Sequence, residues 1–265
     1  MNSPRALQVL PALLRVGFLE ATASRGPLVV SLLGSTTPFV MLAVFSAVAR
    51  EAPIGRFRAR DLTSYFLATF IIRQLTSSWA SWKINRDVRD GTLAARLLRP
   101  VHPILGYAAE GAAALPLRAL LTLPIAIVLL AGAEPLTRDP VLWLAWAASV
   151  AGAWLITLYA NLTIGALAFF LERSTKVIDV WLACYLAFSG YLVPVELFPD
   201  RLRAALEFLP FRYQIGLCVE LMTGAHDRAG AASLLAHQWI FVALGTLVTA
   251  TVWRLGVARF AADGG

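Results

Sequence analysis

The chain has 265 residues, 58% of them hydrophobic and 15% charged, with a formal net charge of +7 and a mean hydropathy of +0.69. Soluble domains average roughly 45–50% apolar residues, so an ordinary soluble fold is excluded. The positive charge does not indicate nucleic-acid binding, because the arginines sit in short connections beside apolar runs, where they face lipid headgroups and set topology.

Residues 4–24 predict an amphipathic helix along the membrane surface. Leu7, Leu10, Leu14 and Phe18 recur at helical spacing, with Arg5, Gln8 and Arg15 elsewhere. Residues 1–26, with Arg5, Arg15, Arg25 and Glu20, are read as a retained N-terminal segment and not as a signal peptide. Residues 27–265 form a single transmembrane domain. Residues 28–49, interrupted by Pro38, and residues 141–171 and 229–253 contain no Asp, Glu, Lys or Arg. A helix of roughly 20 apolar residues spans the hydrocarbon core, and three such stretches cannot all be hidden in a soluble domain.

Six crossings are expected, at about 27–49, 62–82, 103–131, 141–171, 177–194 and 230–254. Pro116 and Pro124 can each kink the third. The fourth, roughly 46 Å long if straight, must tilt or project into water. The predicted fold is therefore all-α and polytopic. With both termini inside, twelve Lys and Arg residues fall inside and nine outside, in the sense of the positive-inside rule. The cluster Arg50, Arg56, Arg58 and Arg60 runs against that assignment. Cys184 and Cys218 form no framework and are read as free thiols.

Residues 195–224 are too polar to cross and too apolar for a plain loop. Asp200, after Pro199, is expected to cap a short helix that Pro210 stops, with Arg203 and Glu207 paired on one face. A second short helix, 211–222, ends at Gly224. Two half-length helices joined at Pro210 suggest a hairpin dipping into the outer leaflet, beginning after Pro194.

The densest polar stretch is 84–100, with Arg86, Asp87, Arg89, Asp90, Gly91, Thr92, Leu93, Arg96 and Leu97. Asp90 can cap a short helix that carries Leu93, Leu97 and Leu98 and is stopped by Pro100. One reading is a solvated connection whose arginines set topology. The other is a docking helix for a cytoplasmic partner, since a short capped helix exceeds what a loop needs.

Gly91-Thr92-Leu93 with Leu97-Leu98-Arg99-Pro100 resembles the signature that follows the second span of ABC-2 type permeases. Phe188-Ser189-Gly190-Tyr191-Leu192-Val193-Pro194, Leu197-Phe198-Pro199, Phe208-Leu209-Pro210-Phe211 and Gly224 resemble, in order, the pattern before that family's last span. The resemblance covers nearly the whole chain. It implies a transmembrane subunit of an exporter in the cytoplasmic membrane of a prokaryote, working as a homodimer or a heterodimer with a related permease. Separate ATPase subunits would bind ATP and Mg²⁺, and no cofactor or metal is expected on this chain. The resemblance makes 84–99 the coupling helix for the ATPase and 1–26 the membrane-surface connecting helix. A phosphate-binding loop needs Gly-x-x-x-x-Gly-Lys-Ser/Thr, and neither lysine, Lys83 or Lys176, stands in that context.

Two rival classes are a channel or scaffold without an ATPase and a membrane phosphatidyltransferase. For the latter, Asp90-Gly91-Thr92-Leu93-Ala94-Ala95-Arg96 places the arginine one residue late, and Ala114 stands where a metal-binding carboxylate is required after Gly106 and Glu110. Charges at bilayer depth are costly. Arg73 and Glu110 fall at similar depths on antiparallel neighbours and are expected to form an ion pair. Arg118 has no obvious partner. Asp179 is expected to bridge to Arg173 or Lys176, while His237 with Gln238, and Asn161 with Thr163, are expected to make interhelical hydrogen bonds.

Overall fold

A computed structural model describes residues 11–12, 14–15, 17–19, 36–132, 136–171 and 174–262. The described residues within 11–19 are helical. The rest of the expected surface helix, including Leu7, Leu10, Arg5 and Gln8, lies outside the described residues, as do residues 27–35 of the first expected crossing.

The described helices are α1 (Thr37–Ala49), α2 (Ala59–Thr76), α3 (Ala80–Arg89), α4 (Leu93–Leu97), α5 (Pro103–Ala113), α6 (Leu115–Ala131), α7 (Pro140–Ala166), α8 (Thr175–Phe188), α9 (Asp200–Leu206), α10 (Gly216–Met222) and α11 (Arg228–Ala262). Among the described residues, the one pairing of extended backbone is the isolated bridge Ile54–Phe57. Three helical stretches, Pro103–Ala131, Pro140–Phe169 and Arg228–Ala261, are long and apolar enough to cross a membrane. Exposed Leu120, Ile127 and Val128 on α6 and Ile240, Leu247 and Leu255 on α11 give these helices faces suited to lipid. The protein is an all-α polytopic membrane protein.

The central packing is that of α7 on α11. Polar side chains stitch the two together: Gln238 Nε2 donates to the carbonyls of Ser149 (2.9 Å) and Tyr213 (2.8 Å), and the hydroxyls of Thr163 and Thr249 lie 2.9 Å apart. A Cβ at Gly152 would stand 2.8 Å from Gln238 Cδ, so glycine permits this close approach. The expected contact at His237–Gln238 is thus carried by Gln238. His237 instead bonds the Ser233 carbonyl within its own helix. Asn161 accepts from Ser81 of α3 at 2.7 Å.

Several boundaries differ from expectation. The second crossing does not run to 82: α2 ends at Thr76, Ser77 is extended (φ −70, ψ 141), and α3 starts afresh at Ala80. Arg118 sustains the break, donating to the Ser77 carbonyl at 2.7 Å and to its hydroxyl at 2.6 Å. It thereby satisfies one of the carbonyls that a helix end leaves unpaired and supplies the partner that the sequence alone did not suggest. The third crossing is interrupted at Ala114, two residues before Pro116, whose missing N–H is tolerated in a helix's first turn. The fifth helix stops at Phe188, not 194, because the chain turns at Gly190 (φ +87). A Cβ there would meet Tyr65 Oη at 2.7 Å and Gly216 Cα at 3.2 Å. The Tyr65 hydroxyl donates to the Gly190 carbonyl (2.7 Å) and Gly216 N donates to the Ser189 carbonyl (2.8 Å), pinning this corner beneath α10. The last helix extends beyond the expected 254.

The hairpin region is more irregular than two helices. A 3₁₀ turn (Val195–Leu197) follows Pro194, α9 follows Pro199, and a second 3₁₀ turn (Arg212–Gln214) after Pro210 leads into α10, which ends at Met222, two residues before Gly224 (φ +70). Pro199, not Asp200, holds the cap position of α9. Arg203 pairs with Asp200 at 2.6 Å, not with Glu207. Glu207 is drawn instead to Arg212 (3.1 Å), which also reaches Glu220 (3.2 Å), and His226 completes the cluster on Glu220 at 2.8 Å. Arg212 and Glu220 are buried. Burial pushes the Glu220 carboxyl up, but the hydrogen bond from His226 and the Arg212 charge outweigh it and hold it below its ordinary value. Its contribution to stability is therefore present above the unfolded pKa and is lost as pH falls through the folded one.

Two replacements separate the buried pair from the surface pair. Arg212→Met leaves the Glu220 carboxylate buried with His226 alone and is expected to cost about 3–5 kcal/mol. Arg203→Ala, at the exposed Asp200 pair, is expected to cost less than about 1 kcal/mol. Unfolding of the purified protein in mild detergent measures both; equal, small losses would contradict the assigned role of Arg212.

Candidate functional site

At the end of α7 away from the hairpin, α3, α4 and α5 form a compact polar corner. A cluster of Ile84, Leu93, Tyr107, Leu158, Leu162 and Trp253 lies beneath it. The corner begins where α3 ends: Asp90 is its C-cap residue, its N–H donating to the Arg86 carbonyl at 2.8 Å. Gly91 then takes φ +71, a conformation that L side chains rarely adopt. A Cβ there would meet nothing within 4 Å, so the requirement is conformational and not steric. Asp90 is therefore not the N-cap expected from sequence. Thr92 occupies that position without a side-chain cap bond, its hydroxyl lying 3.1 Å from Asp87 Oδ1 instead.

The five residues of α4 cannot hold a helix by local hydrogen bonding alone, because nucleation costs more than one turn returns. Tertiary contacts do so. Leu93 is completely buried. Arg96 is held between two carboxylates, Nε to Asp87 Oδ2 at 2.8 Å and an Nη to Glu110 Oε1 at 3.0 Å, with its guanidinium 4.7 Å from the centre of the Tyr107 ring. Lys83 reaches the other Glu110 oxygen at 2.6 Å, and the Tyr107 hydroxyl donates to Asp87 at 2.6 Å. One guanidinium thus ties α4 to both α3 and α5. Burial opposes the Arg96 charge, but Glu110 and then Tyr107 and Asp87 outweigh it and raise its pKa further. At the start of α5, His102 Nδ1 accepts from Ile104 N at 3.3 Å. Burial lowers the His102 pKa, favouring the neutral ring that can accept.

The residues marked out in the sequence separate by direction. Asp87, Leu93, Arg96 and Leu97 turn toward the protein, whereas Arg86, Arg89, Asp90, Gly91 and Thr92 are exposed. Leu98, at 88% exposure, is the most exposed large apolar side chain among the described residues. Beside it a groove of about 530 Å³ separates residues 97–103 from the end of α11 at Trp253–Ala258. Such an apolar tip on a braced polar corner suits docking of another protein.

The expected Arg73–Glu110 pair is not formed. That expectation assumed an unbroken helix over 62–82; the break at Ser77 instead brings Lys83 to Glu110 and leaves Arg73 elsewhere, 4.8 Å from the Tyr185 ring centre. With two cations on Glu110 and Asp90 exposed at a turn, the described residues gather no carboxylate cluster of the kind that a metal-dependent phosphatidyltransferase would require. Tyr107 was not singled out from sequence; Lys83 entered only as a lysine outside a phosphate-binding loop, and Leu98 was placed on the short helix without the direction in which it points.

Residues 35–264 match a family model described as an ABC-2 family transporter protein. Among curated proteins none matches the chain.

The bracket around Arg96 predicts a ranking of stabilities. Asp87→Asn, which weakens the bonds to Arg96, Thr92 and Tyr107 together, should cost about 1–3 kcal/mol. Lys83→Met, which removes a more exposed partner, should cost less than about 1 kcal/mol. Thermal unfolding of the two purified variants checks the order; a larger loss for Lys83→Met would reverse the assignment of Asp87 as the principal anchor.

Proposed function

Because the chain belongs to the ABC-2 transporter family, we propose that it is the permease subunit of an ATP-driven exporter and couples to its ATPase through α4. The observation that carries this reading is Arg96, which braces a five-residue helix against α3 and α5 while Leu98 stands in solvent. A solvated connection needs no such brace.

In this reading the ATPase is a separate chain that binds ATP and Mg²⁺, and it docks on Leu98 and the exposed polar residues 86–92. ATP binding there pushes on α4. The Arg96 bonds to Asp87 and Glu110 carry the displacement into α3 and α5, so the push reaches the helices that cross the membrane. The crossings are α1, α2, α5–α6, α7, α8 and α11, with both termini and α4 on the cytoplasmic side of a prokaryotic inner membrane and the hairpin in the outer leaflet. Two permeases, identical or related, enclose the path, which opens alternately to the two sides.

Two replacements separate docking from transmission. Leu98→Glu is expected to reduce co-purification of the ATPase at least tenfold, a loss of about 1.4 kcal/mol of binding, with the permease still folded. Arg96→Met is expected to retain the ATPase but lose most ATP-driven transport in proteoliposomes. Undiminished ATPase recovery with Leu98→Glu would sink the docking assignment. Recovery of the wild-type complex with no ATPase at all would sink the exporter reading.

A further inference from the structure

A cavity of about 390 Å³ lies between α2, α7 and α8, within the size range of ligand sites. Arg73 reaches it from α2, its guanidinium 4.8 Å from the Tyr185 ring centre and 5.8 Å from that of Tyr191. Among the described residues no carboxylate lies within ion-pairing distance of Arg73. Asp179, which also lines the cavity, is largely exposed and turned toward Lys176 at 3.8 Å. A second cation, Arg118, is close enough to interact with Arg73 and is bound to Ser77 rather than to an acid. Among the described residues neither guanidinium is thus in ion-pairing contact with a carboxylate. The tyrosine faces offset part of the cost of placing the Arg73 charge there.

A second observation also points to a ligand. Gln214 is fully buried and lines the cavity; its oxygen accepts from Thr157 at 3.1 Å, but its Nε2 has no hydrogen-bond partner. A buried amide donor without an acceptor is costly and is suited to an incoming oxygen. The rest of the wall is mostly apolar and aromatic, with Trp82, Trp181 and Leu182, interrupted by polar side chains such as Ser77, Ser78 and Asn161. One cation, one free donor and an aromatic wall match a molecule with an oxyanion at one end and an apolar body at the other.

We propose that this cavity binds an anionic amphiphile, with its charged head on Arg73 and Gln214 and its apolar body against Trp82 and Trp181. As a binding site it stands on the geometry alone; as the site of the transported substrate it rests on the exporter reading above. A small inorganic anion would leave the aromatic wall unused, and a cationic amphiphile would place like charge on Arg73.

The test is native mass spectrometry of the full chain released from neutral detergent and titrated with dodecyl phosphate, dodecyltrimethylammonium or inorganic phosphate. Dodecyl phosphate is expected to bind one to one, at least tenfold tighter than either of the others. Arg73→Gln is expected to weaken it about tenfold or more, and Arg73→Lys to restore most of the affinity. Equal or tighter binding of the cation, or of inorganic phosphate, would overturn the proposal, as would unchanged affinity in Arg73→Gln. Should Arg73→Gln fail to fold, the anion-over-cation preference of the natural sequence decides alone, with Trp181→Ala expected to weaken the dodecyl chain's contribution. Competition by phosphatidylglycerol would support a membrane-lipid ligand, and its failure to compete a soluble one; both retain the anionic amphiphile. Binding without ATP-driven movement of the probe would overturn the exporter reading while leaving the site intact.

Discussion

The bracket of Asp87 and Glu110 around Arg96 is the interaction on which the functional corner depends. A helix of five residues is far below the length at which backbone hydrogen bonding sustains itself. Its position must come from contacts outside it, and Arg96 supplies two directional, charge-assisted ones to different helices. Leu93 beneath it adds burial but less direction, since apolar contact tolerates sliding. A short element fixed on both sides, with an exposed apolar side chain at its end, is suited to the coupling role proposed above.

The corner is joined to the opposite end of the molecule by α7. This helix packs on Ile84, Leu93 and Trp253 near its C-terminal end and on Leu217, Leu221 and Ala231 near its start. Between those ends it is sewn to α11 by Gln238 and by Thr163–Thr249. The polar groups at the hairpin follow the same economy of burial as those around Arg96. Arg212 lies between Glu207 and Glu220, with His226 on the second acid. Each end of the long helix thus has an arginine held between two carboxylates. Around Ser77 the logic differs, because there Arg118 completes a broken helix end and Arg73 faces aromatic rings in place of an acid.

Much of this architecture was legible in the chain. The apolar runs over 103–131, 141–171 and 229–253 reappear as long apolar helical stretches, because length and the scarcity of charge determine that outcome with little help from tertiary context. The short helix after Gly91 and the irregular hairpin between Pro194 and Gly224 were legible through their turn residues. The end of α2 was not: nothing near Ser77 breaks a helix by itself, and the interruption is sustained by Arg118, some forty residues on. The same hidden break misplaced the ion pair at Glu110, since depth along a helix predicts neighbours only while the helix is continuous. The match to the family over residues 35–264 agrees with the motifs read within 91–100 and 188–224, whereas the direction in which each side chain of the 86–97 stretch points required the structure.

The central claim is that α4 moves with α5 as one rigid piece. Spin labels at Ala95 and Leu105, with a second pair at Ala95 and Ala258 across the groove to α11, test it by pulsed dipolar spectroscopy on the permease–ATPase complex. The account predicts that the 95–105 distance keeps its mean and width between nucleotide-free and ATP-trapped states while the 95–258 distance shifts. A 95–105 distance that changes or broadens with nucleotide would show that α4 moves independently, and the Arg96 brace would not be the coupling element.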